Sequence, residues 1–191
     1  MAMGAGDSQK RKQFETEALP HLDLLFTTAM HLTRNRDDAD DLCQETMLRA
    51  YRFFHQYSPG TDCRAWLLTI MYNAFRSSYS RRQGREQLSA STQEFERAID
   101  AESNQNASQA DPQQLLIRSG LDEDVEKALD SLPEEFRTAL LLVDVNDLSY
   151  AQAAQTLDVP IGTVRSRLSR ARSMMRYALT HMVRARRSAG S

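Results

Sequence analysis

Residues 158–176 read DVPIGTVRSRLSRARSMMR and carry Arg165, Arg167, Arg170, Arg172 and Arg176, with no acidic residue after Asp158. A guanidinium stays charged, and its planar fork of donors matches phosphate oxygens and the O6/N7 edge of guanine. A helix that merely solvates its arginines usually intersperses acids at i,i+4. Here there are none, which points to a nucleic-acid partner. Stepping about 100° per residue from Val164 gathers Val164, Leu168, Ala171 and Met175 into one narrow arc and sets Ser166, Ser169 and Ser173 nearly opposite. Arg165 and Arg176 fall on one shoulder of the outer face and Arg170 on the other, while Arg167 and Arg172 flank the apolar stripe. Small hydroxyls between cations allow a helix to approach a groove closely.

A second basic stretch, CRAWLLTIMYNAFRSSYSRRQGR, differs in kind. Trp66, Tyr72, Phe75 and Tyr79 lie among Arg64, Arg76, Arg81, Arg82 and Arg85, with Asn73 polar between apolar turns. Rings interleaved with cations suit single-stranded nucleic acid, whose bases stack while phosphates are held. Aromatic residues at helical spacing equally suit a core, so the pattern alone leaves both readings open.

The third group is acidic: Asp37, Asp38, Asp40, Asp41 and Glu45 crowd one short stretch. A calcium loop is excluded, because the glycine and the twelve-residue ligand spacing are missing. A metal-dependent nuclease using Asp38, Asp41 and Glu45 is a further alternative. Favourable charge at a helix N-terminus explains the same acids without chemistry. Cys43 falls on an apolar stripe, where small buried thiols are common.

The elements that must position these groups are helical. Over 191 residues the formal charge is -2, and 41% of residues are hydrophobic. That supports one or two small domains. The near-zero charge hides segregation, since residues 64–85 and 160–191 contain no acid while 37–45, 86–111 and 122–147 concentrate it. No apolar run is long enough to span a bilayer, and MAMGAGDSQKRKQ lacks a secretion signal's apolar stretch, so the cytoplasm is the expected location, with no membrane contact. Two cysteines and four scattered histidines support neither a disulfide scaffold nor a metal site. No cofactor is expected.

Strand alternation is absent, and the expected fold class is all-α. Helices are predicted over residues 14–33, with Leu22, Leu25, Phe26 and Ala29 inward; over 37–54, with Ala39, Cys43, Met47, Ala50 and Phe54 inward; and over 64–82, with Leu67, Ile70, Met71 and Ala74 inward. Ser58-Pro59-Gly60 marks a loop. Residues 85–120 are polar, acidic and poor in large apolar side chains, and read as a flexible linker. Two small helical domains follow, 10–84 and 121–187. In the second, Leu121, Val125, Ala128 and Leu129 share a face; Pro133 opens a helix with Phe136, Ala139, Leu140 and Val143 inward. Ser149 and Gln152 have the form of a capping box, with Leu148 as its staple. The short helix carrying Ala153, Ala154 and Leu157 is broken at residues 158–162 before a new one starts near Thr163. A capped short helix, a turn with Gly162 and a basic second helix make a helix-turn-helix.

DADDLCQETMLRAYRFF, then AWLLTIMYNAFRSSYSRR, then a polar linker, then LPEEFRTALLLVDVNDLSYAQAAQTLDVPIGTVRSRLSRAR, resembles the sigma-70 family of RNA polymerase sigma factors. The nearest resemblance is to its extracytoplasmic-function (ECF) branch, which keeps regions two and four; the opening stretch is similar to members with zinc-binding, thiol-stress-related anti-sigma partners. The resemblance implies a promoter-specificity subunit that is not an enzyme and has no catalytic residue. Asp40, Asp41, Gln44, Glu45 and Arg49 would dock on the β′ clamp of core RNA polymerase, with the β subunit a further contact. Ser58, Gly60, Thr61, Asp62, Arg64, Trp66, Asn73, Arg76 and Tyr79 would hold the parted minus-ten element. Thr163, Arg165, Ser166, Arg167, Ser169 and Arg170 would read the duplex minus-thirty-five element. Many relatives have a bulky residue where Ser169 stands, so the resemblance does not carry their promoter sequence over to this chain. An anti-sigma factor is the expected regulator. An ordinary helix-turn-helix regulator of duplex DNA is the competing reading, and it leaves the D-L-x-Q-E helix without a role.

Overall fold

The computed structural model describes the backbone of residues 5–82 and 123–189, and the side chains of residues 8–77 and 123–182. The described residues are all-α and form two compact units divided after Arg82. Residues 85–120, read above as a linker, lie outside the described residues.

The first unit packs α1 (Ala5–Ala18), α2 (Leu22–Thr33), α3 (Arg36–Arg52) and α4 (Cys63–Arg82) around Leu25, Ala29, Ala39, Ala50, Leu67, Leu68 and Met71. The helix expected over 14–33 is two helices. Pro20 lacks an N–H and disfavours helical geometry in the residue before it; a 3-10 turn, Leu19–His21, takes its place. The break redirects the face that follows, so Leu22 is exposed while Leu25 and Ala29 are buried. Arg34, at φ 57°, closes α2 in the left-handed region, its N–H donating to Met30 O at 2.8 Å. Asn35 then caps α3, its side-chain oxygen accepting from the Asp38 N–H at 3.1 Å. This two-residue link makes α2 and α3 an antiparallel pair. Met47 and Ile70, expected inward, are half-buried at the rim.

The second unit packs α5 (Glu123–Ser131), α6 (Glu134–Leu140) and α7 (Tyr150–Leu157) against α8 (Ile161–Ala189). Pro133 stands at the N-cap of α6, one residue before the first turn. The helix does not run on regularly through Val143 but widens into a π turn, Leu141–Val145. Asn146 explains the widening. Its backbone N–H and its side-chain Nδ2 both donate to Leu141 O, at 2.9 and 2.8 Å, and its side chain is buried. A carbonyl two donors share five residues back favours the wider turn. Ser149 and Gln152 form the capping box: Gln152 N–H donates to Ser149 Oγ at 3.2 Å, and Ser149 N–H to Gln152 Oε1 at 2.8 Å. Asp158, at φ 55°, ends α7. α8 starts two residues before Thr163, and Val164, Leu168, Ala171 and Met175 are buried as their spacing requires. Burying each of the large ones contributes about 1.5–3 kcal/mol. Leu121 lies outside the described residues.

Candidate nucleic-acid interface

The outward arc of α8 presents Arg165, Ser166, Ser169, Arg170 and Arg176, all exposed, with Thr163 half-buried at its start. Gly162 precedes them, and nothing lies within 4 Å of the place a Cβ would occupy there. Ser166 Oγ donates to Thr163 O at 3.0 Å and Ser173 Oγ to Ser169 O at 3.1 Å, so these hydroxyls lie close to the helix surface. The Arg165 guanidinium rests 6.0 Å from the ring centre of Tyr150 on α7. That contact limits the rotamers of a long side chain before any ligand arrives.

Two arginines turn the other way. Arg167 Nη2 lies 3.1 Å from Glu135 Oε2. Arg172 donates to Asp144 through Nε at 2.9 Å and Nη2 at 2.7 Å. This fork, set first by the Asp144 hydrogen bonds and opposed by burial, raises the Arg172 guanidinium further above its ordinary range. The two side chains that flank the stripe thus fix α8 onto α6 and the π turn, and leave the outer arc for a ligand.

In the first unit, residues 58–62 form a tight turn. Thr61 N–H and Thr61 Oγ1 both donate to Ser58 O, at 3.2 and 2.7 Å. Gly60 sits at φ 85°, a conformation that strains any residue with a Cβ. Asp62 caps α4, accepting from Ala65 N–H at 3.0 Å. Ser58, Gly60, Thr61, Asp62, Asn73 and Arg76 are exposed, Arg64 is half-buried, and Trp66 is half-buried against Tyr57 and Phe54. Asn73 and Arg76, three apart on α4, share a face. The aromatic strip is only partly presented: Phe75 is core, Tyr72 is half-buried, and the side chain of Tyr79 lies outside the described residues. So do the side chains of Arg81, Arg82, Arg184, Arg186 and Arg187, and all of Arg85.

The acidic face of α3 carries Asp37, Asp40, Asp41, Gln44 and Glu45, all exposed, with Arg49 folded back on Glu45. Among them stands Leu48, 64% exposed. It lies nine residues from Ala39, half a turn from the buried stripe, so a helical projection alone could have singled it out. Tyr150, between Ser149 and Gln152 of the capping box, carries no local signal of its contact with Arg165. Among the described residues, no cluster of three or more His, Cys, Asp or Glu side chains could hold a metal ion, and no helix is long and apolar enough to cross a membrane.

Two family models match the chain, Sigma-70 region 2 over residues 19–86 and Sigma-70, region 4 over residues 122–175. The ECF RNA polymerase sigma factor EcfG of Rhodopseudomonas palustris is 37% identical over 147 residues, covering 77% of this chain and 74% of that one. The chain belongs to the ECF branch of the sigma-70 family. SigE of Mycolicibacterium smegmatis, also an ECF sigma factor, is 37% identical over 177 residues, which span 92% of this chain and 65% of SigE. The sigma factor RpoE of Bartonella quintana, solved in complex with the anti-sigma factor NepR, superposes with a TM-score of 0.65 at 29% identity, covering 88% of this chain and 98% of that one. The first unit of this sigma factor is therefore its region 2, and the second its region 4.

Proposed function

We propose that this ECF sigma factor binds core RNA polymerase, directs it to promoters bearing minus-thirty-five and minus-ten elements, and helps part the strands, contributing no catalysis of its own. One observation carries the reading: the second helix of a helix-turn-helix turns Arg165, Ser166, Ser169 and Arg170 outward while Arg167 and Arg172 are held within. In a major groove the outward arginines reach guanine edges or phosphates, and the serines let the backbone approach. Thr163 lies at the N-terminal end, which in this geometry is nearest the bases.

Region 2 takes the minus-ten element after it leaves the duplex. Residues 58–62, with Asn73 and Arg76 further along α4, offer polar groups to unstacked bases; paired bases cannot present the same edges, so binding favours the melted state. Arg64, Trp66 and Tyr79 complete this assignment. Asp62 acts as the cap that aims α4. The α3 face docks on the β′ clamp, its acids attracting a basic surface and Leu48 supplying the dehydrated centre of the contact. Residues 10–84, 85–120 and 121–187 serve as polymerase and minus-ten module, tether, and minus-thirty-five module. The tether raises the effective concentration of the second DNA contact once the first is made. The β subunit is a further core contact, and an anti-sigma factor, the kind of partner that NepR is for its relative, controls availability. The site of action is the cytoplasm, where polymerase works.

Reconstitution tests this directly. The purified chain should co-elute with core polymerase and start run-off RNA at sites that core alone ignores. Duplex binding without either property would establish the ordinary-regulator reading instead.

A further inference from the structure

We infer that Glu17 and Tyr57 form a latch that sets the minus-ten base pocket, so that a helix ahead of the region 2 match tunes which base the pocket accepts. The inference rests on the reading of residues 58–62 as part of that pocket. The match begins at residue 19, whereas α1 is Ala5–Ala18. Yet α1 is built into the fold. Phe14 meets Tyr51 edge-on at 5.2 Å and Phe54 at 5.3 Å between ring centres. Tyr57 stacks on Phe54 at 5.5 Å and leans on Trp66 at 5.2 Å. Its ring is therefore gripped by the 3-10 turn Phe54–Gln56 that follows α3 and by the start of α4, and the residue is 6% exposed.

The Tyr57 hydroxyl faces two acceptors, Thr61 O at 3.0 Å and Glu17 Oε2 at 3.2 Å. One phenolic proton is shared between them. Thr61 is the exit of the turn whose entry, Ser58 O, already accepts from Thr61 N–H and Oγ1. The hydroxyl thus ties the exit of the turn to a buried ring, and Glu17 fixes the direction in which that hydroxyl points. On the outer side, nothing lies within 4 Å of a Cβ added at Gly60, so the apex faces open space. A base edge is discriminated by donors and acceptors held to within a fraction of an ångström. A turn released from Tyr57 keeps its atoms but loses that precision. Glu17 and Tyr57 are positioning residues; neither needs to touch the base.

The test uses holoenzyme assembled with core polymerase and fluorescent single-stranded oligonucleotides carrying each of the four bases in turn at each minus-ten position. Tyr57→Phe keeps the packed ring and removes the hydroxyl; Glu17→Leu removes the acceptor; Glu17→Gln keeps an acceptor oxygen. Wild type should prefer one base at a pocket position. Tyr57→Phe and Glu17→Leu should lower that preference by about fivefold, the size expected for one hydrogen bond. Glu17→Gln should restore it, and duplex minus-thirty-five binding should not change. Preference ratios equal to wild type in Tyr57→Phe, or weaker binding to every oligonucleotide alike, would overturn the latch while leaving base reading intact. If wild type itself showed no preference, the pocket reading would fall and the latch with it.

Discussion

Arg172 on α8 grips Asp144 in the π turn with a two-pronged hydrogen bond, Nε to Oδ2 at 2.9 Å and Nη2 to Oδ1 at 2.7 Å, and the carboxylate side chain is only 1% exposed. A buried carboxylate is tolerable because both its oxygens meet a fixed fork. Asp144→Ala removes the partner and leaves a half-buried cation without its counter-charge. Region 4 should lose about 2–3 kcal/mol, read as a lower urea midpoint. In a double-mutant cycle with Arg172→Met, the combined loss should be well below the sum of the two single losses.

The opposed directions of Arg165 and Arg167 predict opposed phenotypes. Arg165→Ala should weaken binding to the preferred minus-thirty-five duplex by about 1–3 kcal/mol and relax preference at one base pair. Arg167→Ala, whose partner is Glu135, should cost about 1 kcal/mol of region 4 stability and leave base preference as it was. Anisotropy titrations on a panel of single-base variants, at fixed salt, separate the two. Equal loss of preference in both would refute the division of labour.

Leu48 gives the sharpest handle on the proposed polymerase contact. Being 64% exposed, it can be replaced without disturbing the core. Leu48→Asp should reduce affinity for core polymerase by at least about tenfold, corresponding to some 1.4 kcal/mol or more at the centre of an interface. The thermal midpoint of the free chain should stay within a degree or two. Unchanged co-elution would remove Leu48 from the docking face.

How much of this was legible beforehand follows the range of the forces involved. The buried stripe of α8 and the capping box of α7 depend on neighbours within two turns, and spacing alone predicts them. Pro20 is visible in the sequence, yet the apolar stripe from Leu22 to Ala29 lies wholly on one side of it, so spacing alone does not mark the break. The π turn needs the knowledge that Asn146 faces inward, which depends on tertiary packing and not on local spacing. Arg167 could be seen to flank the stripe, but Glu135 lies 32 residues earlier and nothing local announces the pair. Phe75 looked like part of a stacking strip and is core; a ring's spacing does not say which face is covered.

The two thiols make a prediction about pH. Burial first, then nearby Asp40 for Cys43 and Glu17 for Cys63, pushes each thiol up to about 11 from 9.0. The folded state holds the proton more tightly than the unfolded state, so the stabilisation is complete below pH 9 and is lost as pH rises from 9 through 11. Region 2 should therefore unfold at progressively lower urea concentration across that window, and Cys43→Ala or Cys63→Ala should flatten the dependence. At pH 8, iodoacetamide should label the native chain far more slowly than the chain in urea, because the thiolate is the nucleophile. Rapid native labelling would contradict the burial argument and reopen a redox role.

α8 carries the exposed arginine face proposed to read DNA and is also the spine against which α5, α6 and α7 all pack. Its inner side is committed to holding the domain together, while Arg165, Ser166, Ser169 and Arg170 on its outer side are exposed. Rewriting Arg165, Ser166, Ser169 and Arg170 should therefore redirect the protein to new start sites without weakening its scaffold. That separation makes the chain a good starting point for sets of mutually insulated genetic switches, each variant addressing its own genes in one cell.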